Sequence, residues 1–179
     1  VRRRAWEDRF LMQLAPCYFQ AGNLAQAERI LFAIADGGEP DTAATKLLWA
    51  RIKLARGDLG GALQALLAAE AMNPQLPGIY IQIGDTYSRL LQWENAKTAY
   101  EKDVAHDPDN ARAYHGLSTD YRRVGDNQQT VDHALRAVGL LHRLPMAHFN
   151  LGVALVRSGE NERARLAFET ALRFQSEMV

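Results

Sequence analysis

One cysteine, Cys17, stands in a chain of 179 residues. An intramolecular disulfide is therefore excluded, and no cysteine framework for a metal exists. In an apolar helix a lone cysteine is expected to be a small buried hydrophobe. Long hydrophobic runs are missing too, and no stretch approaches the ~18 apolar residues of a membrane span. The opening VRRRAWEDRF has arginines but no apolar segment after them, so it does not read as a signal peptide. It reads as a start from inside a longer protein, with Arg2, Arg3 and Arg4 in a solvated linker end. An excess of either charge is also absent, because 21 basic residues balance 21 acidic ones. A neutral chain lacks the basic field of a general nucleic-acid or acidic-membrane binder. Neither partner is expected, and the location is taken as cytoplasmic.

Catalytic and metal patterns are missing as well. The five histidines, His106, His115, His133, His142 and His148, show no HExxH spacing. Asp107 and Asp109 flank Pro108 in a turn and read as capping groups rather than a calcium site. Gly60-Gly61 lacks the lysine and hydroxyl of a phosphate loop. No enzyme, no metal and no cofactor is expected.

What the sequence does have is a repeat. Leu151, Gly152, Gly159, Ala164, Phe168 and Ala171 recur 34 residues earlier as Leu117, Ser118, Gly125, Thr130, Ala134 and Ala137. A further shift gives Ile83, Gly84, Leu91, Ala96, Tyr100 and Asp103, and another gives Trp49, Ala50, Gly57, Ala62, Leu66 and Ala69. One extra residue brings in Leu14, Ala15, Gly22, Ala27, Leu31 and Ile34. A fixed period of this length means a solenoid. Five units result, at about 8–42, 43–76, 77–110, 111–144 and 145–178, with residues 1–7 as the linker end.

Each unit reads as two helices. The eighth position is always small: Ala15, Ala50, Gly84, Ser118, Gly152. A small residue opposite a bulky one lets two helices approach closely. Gly57, Gly125 and Gly159 supply the left-handed residue that ends a helix. The following Asp58, Asp126 and Glu160 are placed to cap the second helix or complement its dipole. Pro74 and Pro108 stop second helices. Pro16 sits inside a first helix, where a kink or a late start is expected. Thr130 at a position otherwise small suggests a looser fourth unit. Asp103 falls at a packed position and is expected to turn to solvent or meet Tyr114 or His115.

This pattern resembles the tetratricopeptide repeat. The clearest copy is the third, with Tyr80, Ile83, Gly84, Tyr87, Ala96, Tyr100 and Pro108. The resemblance implies an all-α, right-handed solenoid of five helix-turn-helix units acting as a protein-interaction scaffold. First helices then line a concave groove that takes a peptide or helix of a partner. The groove residues it implies include Arg51, Asp85, Arg89, Arg112, His115, Thr119, Arg122, Met146, Phe149 and Val153. Ile81, Ser88 and the column Arg89, Arg123, Arg157 belong to the same set. Position by position, the column also has a plain explanation, since a cation in the last turn complements the helix dipole. Arg112, His115 and Arg122 have no such explanation; simple solvation and contact with an acidic partner segment both stay open for them. Phe149 and Met146 suit an apolar anchor. The chaperone-tail clamp of this family is absent, as its positions hold Met12, Pro16, Leu48, Gly78 and Gln82.

Residues 134–174 are also similar to the C-terminal repeats of bacterial proteins with an upstream alkaline-phosphatase-superfamily, phosphodiesterase-like domain. Ala137-Val138-Gly139-Leu140, His142, Pro145 and Ala147-His148-Phe149 carry that resemblance. It implies an assembly or regulatory module whose catalytic domain lies outside this chain. Phe174 and Leu172 near the end are expected to have little cover, which makes self-association through the last helix an alternative.

Overall fold

The structure, a computed structural model, describes residues 5–36 and 42–177, with side chains at 10–35 and 42–177. The described residues form ten α-helices and no strand. Among them no helix is long and apolar enough to cross a membrane. The first helices of the units are α1 (Ala5–Gln20), α3 (Ala43–Ala55), α5 (Ile79–Arg89), α7 (Ala111–Val124) and α9 (Pro145–Arg157). The second helices are α2 (Leu24–Asp36), α4 (Leu59–Met72), α6 (Trp93–His106), α8 (Asn127–Leu140) and α10 (Asn161–Ser176). Arg2, Arg3 and Arg4 lie outside the described residues, as does the side chain of Arg9. Packing divides the chain into two compact units between Ile79 and Tyr80.

In the first unit, Ala15, Ala27, Leu31, Ile34, Leu48 and Ile52 form the core. Arg56 donates to both oxygens of Glu28, at 3.0 and 2.6 Å. Helix α1 runs through Pro16 from Ala5, so the late start expected there does not occur. Cys17 is exposed rather than buried. Its equivalents Ile52, Thr86, Asp120 and Ala154 are fully buried, and Asp120 meets the preceding first helix.

In the second unit the small eighth position works as a socket. A Cβ on Gly84 would lie 2.5 Å from the Tyr100 ring, and one on Gly152 would lie 2.6 Å from the Phe168 ring. Tyr100 also lies against Gly116, so one ring holds α5, α6 and α7 together. Ile81 packs into this cluster with Ala96, Tyr100, Ala113 and Leu117 and does not line the groove. Thr130 is fully buried, and its hydroxyl donates to the Asp126 carbonyl at 2.6 Å. The fourth unit accommodates it without loosening there. Asp103 is buried, and its partner is Asn110, whose amide donates at 2.7 Å. It meets neither solvent, Tyr114 nor His115. Burial pushes its carboxyl above the usual range, and Asn110 pulls it back.

The turns follow the sequence pattern. Gly22, Gly57, Gly125 and Gly159 all have φ between +76 and +88. Asp58 accepts from the Gly61 amide at 2.8 Å, and Asp126 accepts from the Gln129 amide at 3.0 Å. Glu160 makes no cap and pairs with Arg163 instead. Helix α4 stops at Met72 and α6 at His106, each just before its proline. The third unit has Leu91 where the others have glycine, and Leu91 takes φ +62.

Two stability changes follow. Leu91→Gly relieves a left-handed leucine and should stabilise by about 0.5–1 kcal/mol. Gly84→Ala drives a methyl into the Tyr100 ring and should cost about 1–3 kcal/mol. Thermal and urea unfolding of the two variants beside wild type measures both.

Candidate functional site

The faces of α5, α7 and α9 carry a chain of polar contacts. Asp85 accepts from the Tyr100 hydroxyl at 2.7 Å and lies 3.4 Å from an Arg112 nitrogen. One turn along α5, the Ser88 hydroxyl reaches both oxygens of Asp120, at 2.9 and 2.8 Å. Asp120 is fully buried, which raises its pKa to about 6; the Ser88 bond and the nearby Arg123 oppose that rise. Between α7 and α9 the buried member is Asn150. Its amide donates to the Ser118 and Thr119 hydroxyls at 3.0 and 2.9 Å. Its carbonyl oxygen accepts from Arg122 Nε at 2.9 Å.

Three arginines meet at the ends of α7 and α9. Arg157 donates to the Arg122 carbonyl at 3.1 Å. The Arg123 guanidinium lies over the Trp93 ring, 4.6 Å from its centroid. Burial lowers the pKa of Arg122, and Arg123 and Arg157 push it the same way. All three sit in the last turns of their helices, so the dipole explanation holds for Arg123 and Arg157 and, against the expectation from sequence, extends to Arg122. Among the described residues none of them is in ion-pair contact with a carboxylate.

Beside this cluster is an apolar hollow of about 410 Å³, lined by Pro145, Met146, Phe149, Phe168, Ala171, Leu172 and Gln175. Phe149 is 39% exposed and Met146 51%. The Phe149 ring stands 5.9 Å from the Phe168 ring and 5.9 Å from the Arg122 guanidinium. Phe149 is thus the wall shared by the hollow and the cations. Of the two C-terminal residues expected to lack cover, Leu172 is 70% exposed but Phe174 only 6%. The rings of His142 and His148 and the side chains of Arg143 and Arg173 enclose Phe174.

The groove residues named from the sequence separate into groups. Arg112 and Asp85 come together as an exposed pair. His115, Thr119 and Arg122 share one face of α7. Thr119 donates to the His115 carbonyl at 2.9 Å and is tied to Arg122 through Asn150. His115 Nε2 is buried with no hydrogen-bond partner. Burial lowers the pKa of His115; Asp85 opposes this, and Arg112 and Arg122 reinforce it. Met146 and Phe149 meet at the hollow, and Val153 lies half-buried farther along α9. Arg89 is exposed in the last turn of α5, apart from these groups. Arg51 is exposed on α3 in the first unit. Asp120 and Asn150 went unnoticed in the sequence. Position ten of the unit is otherwise Cys17, Ile52, Thr86 or Ala154, the last three fully buried, so a carboxylate there in a later unit had to find a partner.

The fold class is all-α, a helical-repeat solenoid with a polar and apolar face on its first helices. Residues 115–178 match the family described as tetratricopeptide repeat. Cellulose synthase operon protein C of Xanthomonas axonopodis pv. citri (strain 306) is 31% identical over 175 residues, which takes in 92% of this chain. The chain spans 11% of that relative's length. A structure of MamA from Desulfovibrio magneticus RS-1 superposes with a TM-score of 0.83 at 19% identity, over 95% of this chain and 96% of that one. A second MamA structure gives 0.81 at 17% identity, over 92% and 95%. At such identities the likeness is one of fold. Repeat proteins of this type generally mediate protein–protein interactions and are generally non-catalytic.

The buried carboxylate gives a pH signature. The folded Asp120 titrates near 6 against an ordinary 3.8. The folded state therefore holds a proton that the unfolded state has lost, and stability from this group falls as pH rises through that window. Asp120→Asn removes the dependence while keeping an acceptor for Ser88. The variant should gain on wild type by on the order of 1–3 kcal/mol between about pH 4 and pH 7. His148 has its pKa lowered by burial. Its contribution is lost as pH falls through its ordinary value, but it is common to both proteins and cancels. Urea titrations at the two pH values measure the difference.

Proposed function

We propose that this chain is a protein-interaction scaffold that holds a peptide or helix of a partner protein along its first-helix face. The observation that carries the reading is the apolar hollow walled by Met146 and Phe149, with the Arg122 guanidinium over the Phe149 ring. An open apolar hollow bordered by fixed polar groups is the form a recognition site takes. Arg112, His115, Thr119, Arg122 and Val153 extend the contact surface along α7 and α9, and Asp85 and Arg89 extend it along α5. No step of chemistry is assigned to any of them.

A second reading is favoured by the curated relative, of which this chain spans a small part. On that reading the repeats are an assembly or regulatory module of a longer polypeptide. The exposed Leu172 would then serve contacts between copies.

The groove reading is tested by affinity capture from a lysate of the source organism. Phe149→Ala should weaken the captured complex at least about tenfold, more than roughly 1 kcal/mol, with an unchanged circular dichroism spectrum. Glu101→Lys on the second helix α6 should leave capture intact. If neither Phe149→Ala nor Arg112→Glu changes it, groove capture is wrong. Concentration-dependent self-association lost in Leu172→Ser would favour the assembly module.

A further inference from the structure

Resting on the scaffold reading, we infer that the end of the face formed by α7, α9 and α10 is a two-part site for an acidic–apolar peptide segment. A carboxylate of the partner would be taken by Arg122 and Arg157, and the neighbouring large apolar side chain by the hollow beside Phe149.

The first argument is charge. The whole chain is neutral and Arg112 is paired with Asp85, yet the ends of α7 and α9 gather Arg122, Arg123 and Arg157 against a single carboxylate. That carboxylate, Asp120, is fully buried and held by Ser88. Like charges gathered without a counter-charge raise the energy of the free protein, and an anion relieves it.

The second argument is preorganisation. Arg122 is fixed through one nitrogen only, its Nε on Asn150. Asn150 is itself fully buried and fixed by two hydroxyls of α7. The two terminal nitrogens of Arg122 remain, and these match a carboxylate in the two-point geometry that guanidinium favours. Arg157 likewise uses one nitrogen, on the Arg122 carbonyl. A guanidinium built only for solubility needs no buried amide to aim it.

The third argument is continuity. Phe149 touches both parts, 5.9 Å from the Arg122 guanidinium on one side and 5.9 Å from the Phe168 ring on the other. An acidic side chain and its apolar neighbour therefore have adjoining places. The hollow is almost wholly apolar at its lining, which favours a protein side chain over a nucleotide.

The test is selection of a random-peptide display library on wild type, Arg122→Gln/Arg157→Gln and Phe149→Ala, each matched for circular dichroism. Selected peptides are then resynthesised for fluorescence titration. The expected pool places aspartate or glutamate beside a large apolar residue. Its members should lose at least about tenfold in affinity on the double arginine variant. They should weaken with added salt. A wild-type pool without acidic enrichment, or one whose affinity is unchanged in the arginine variant, overturns the acidic–apolar specificity and leaves groove capture standing. A pool insensitive to Phe149→Ala overturns the two-part site. Displacement of the selected peptide by a single-stranded oligouridylate at equal concentration overturns the assignment to protein. Absence of any enriched binder overturns both this inference and the groove reading.

Discussion

An aromatic ring seated on glycine is the contact from which the described second unit is built. Tyr100 lies against Gly84 and Gly116, and Phe168 lies against Gly152. Without a Cβ in the socket, the first and second helices of a unit approach to backbone distance. That approach sets the first helices side by side. Only then can Ser88 reach Asp120 and Asn150 reach Ser118, pairs separated by 32 residues in sequence. Dispersion between ring and backbone supplies the local energy, and area removed from water supplies more.

The polar floor follows from this geometry. Packed first helices bury whatever occupies the positions between them, and a polar residue there must find its partner on the neighbouring helix. Asp120 and Asn150 are that case. Each also reaches outward: Asp120 is near Arg123, and Asn150 binds Arg122. The same buried amide that joins α7 to α9 therefore orients a surface cation, so the fold and the proposed recognition surface share a part.

The repeat was legible because its signals are local. Small residues at position eight, left-handed glycines after the first helix and prolines after the second all act within a few bonds of their own backbone. The misreadings concern neighbours that a repeat template does not name. Ile81 was placed in the groove by its position, yet the large Tyr100 ring draws it into the core. Asp103 found Asn110 seven residues on, in the turn rather than on a facing helix. Phe174 is covered because His142, standing where proline is usual, adds a ring to its cover. Cys17 is exposed although its equivalents on the later first helices are buried. For the candidate site, Arg122, Met146 and Phe149 could be read from their positions in the unit. Asn150 could not, because a polar residue at a buried position declares its role only through its partners.

The anchoring of Arg122 by Asn150 also bears on how long a bound segment stays. A free surface arginine loses much of its rotamer freedom when it closes on a carboxylate, at a cost of about 0.5–1.5 kcal/mol. Here that ordering is completed when the chain folds. Encounter rates are set mainly by diffusion and the local field, so the saving appears in the departure step. On the proposed two-part site, a complex formed at this corner of the molecule gains in lifetime rather than in speed of capture.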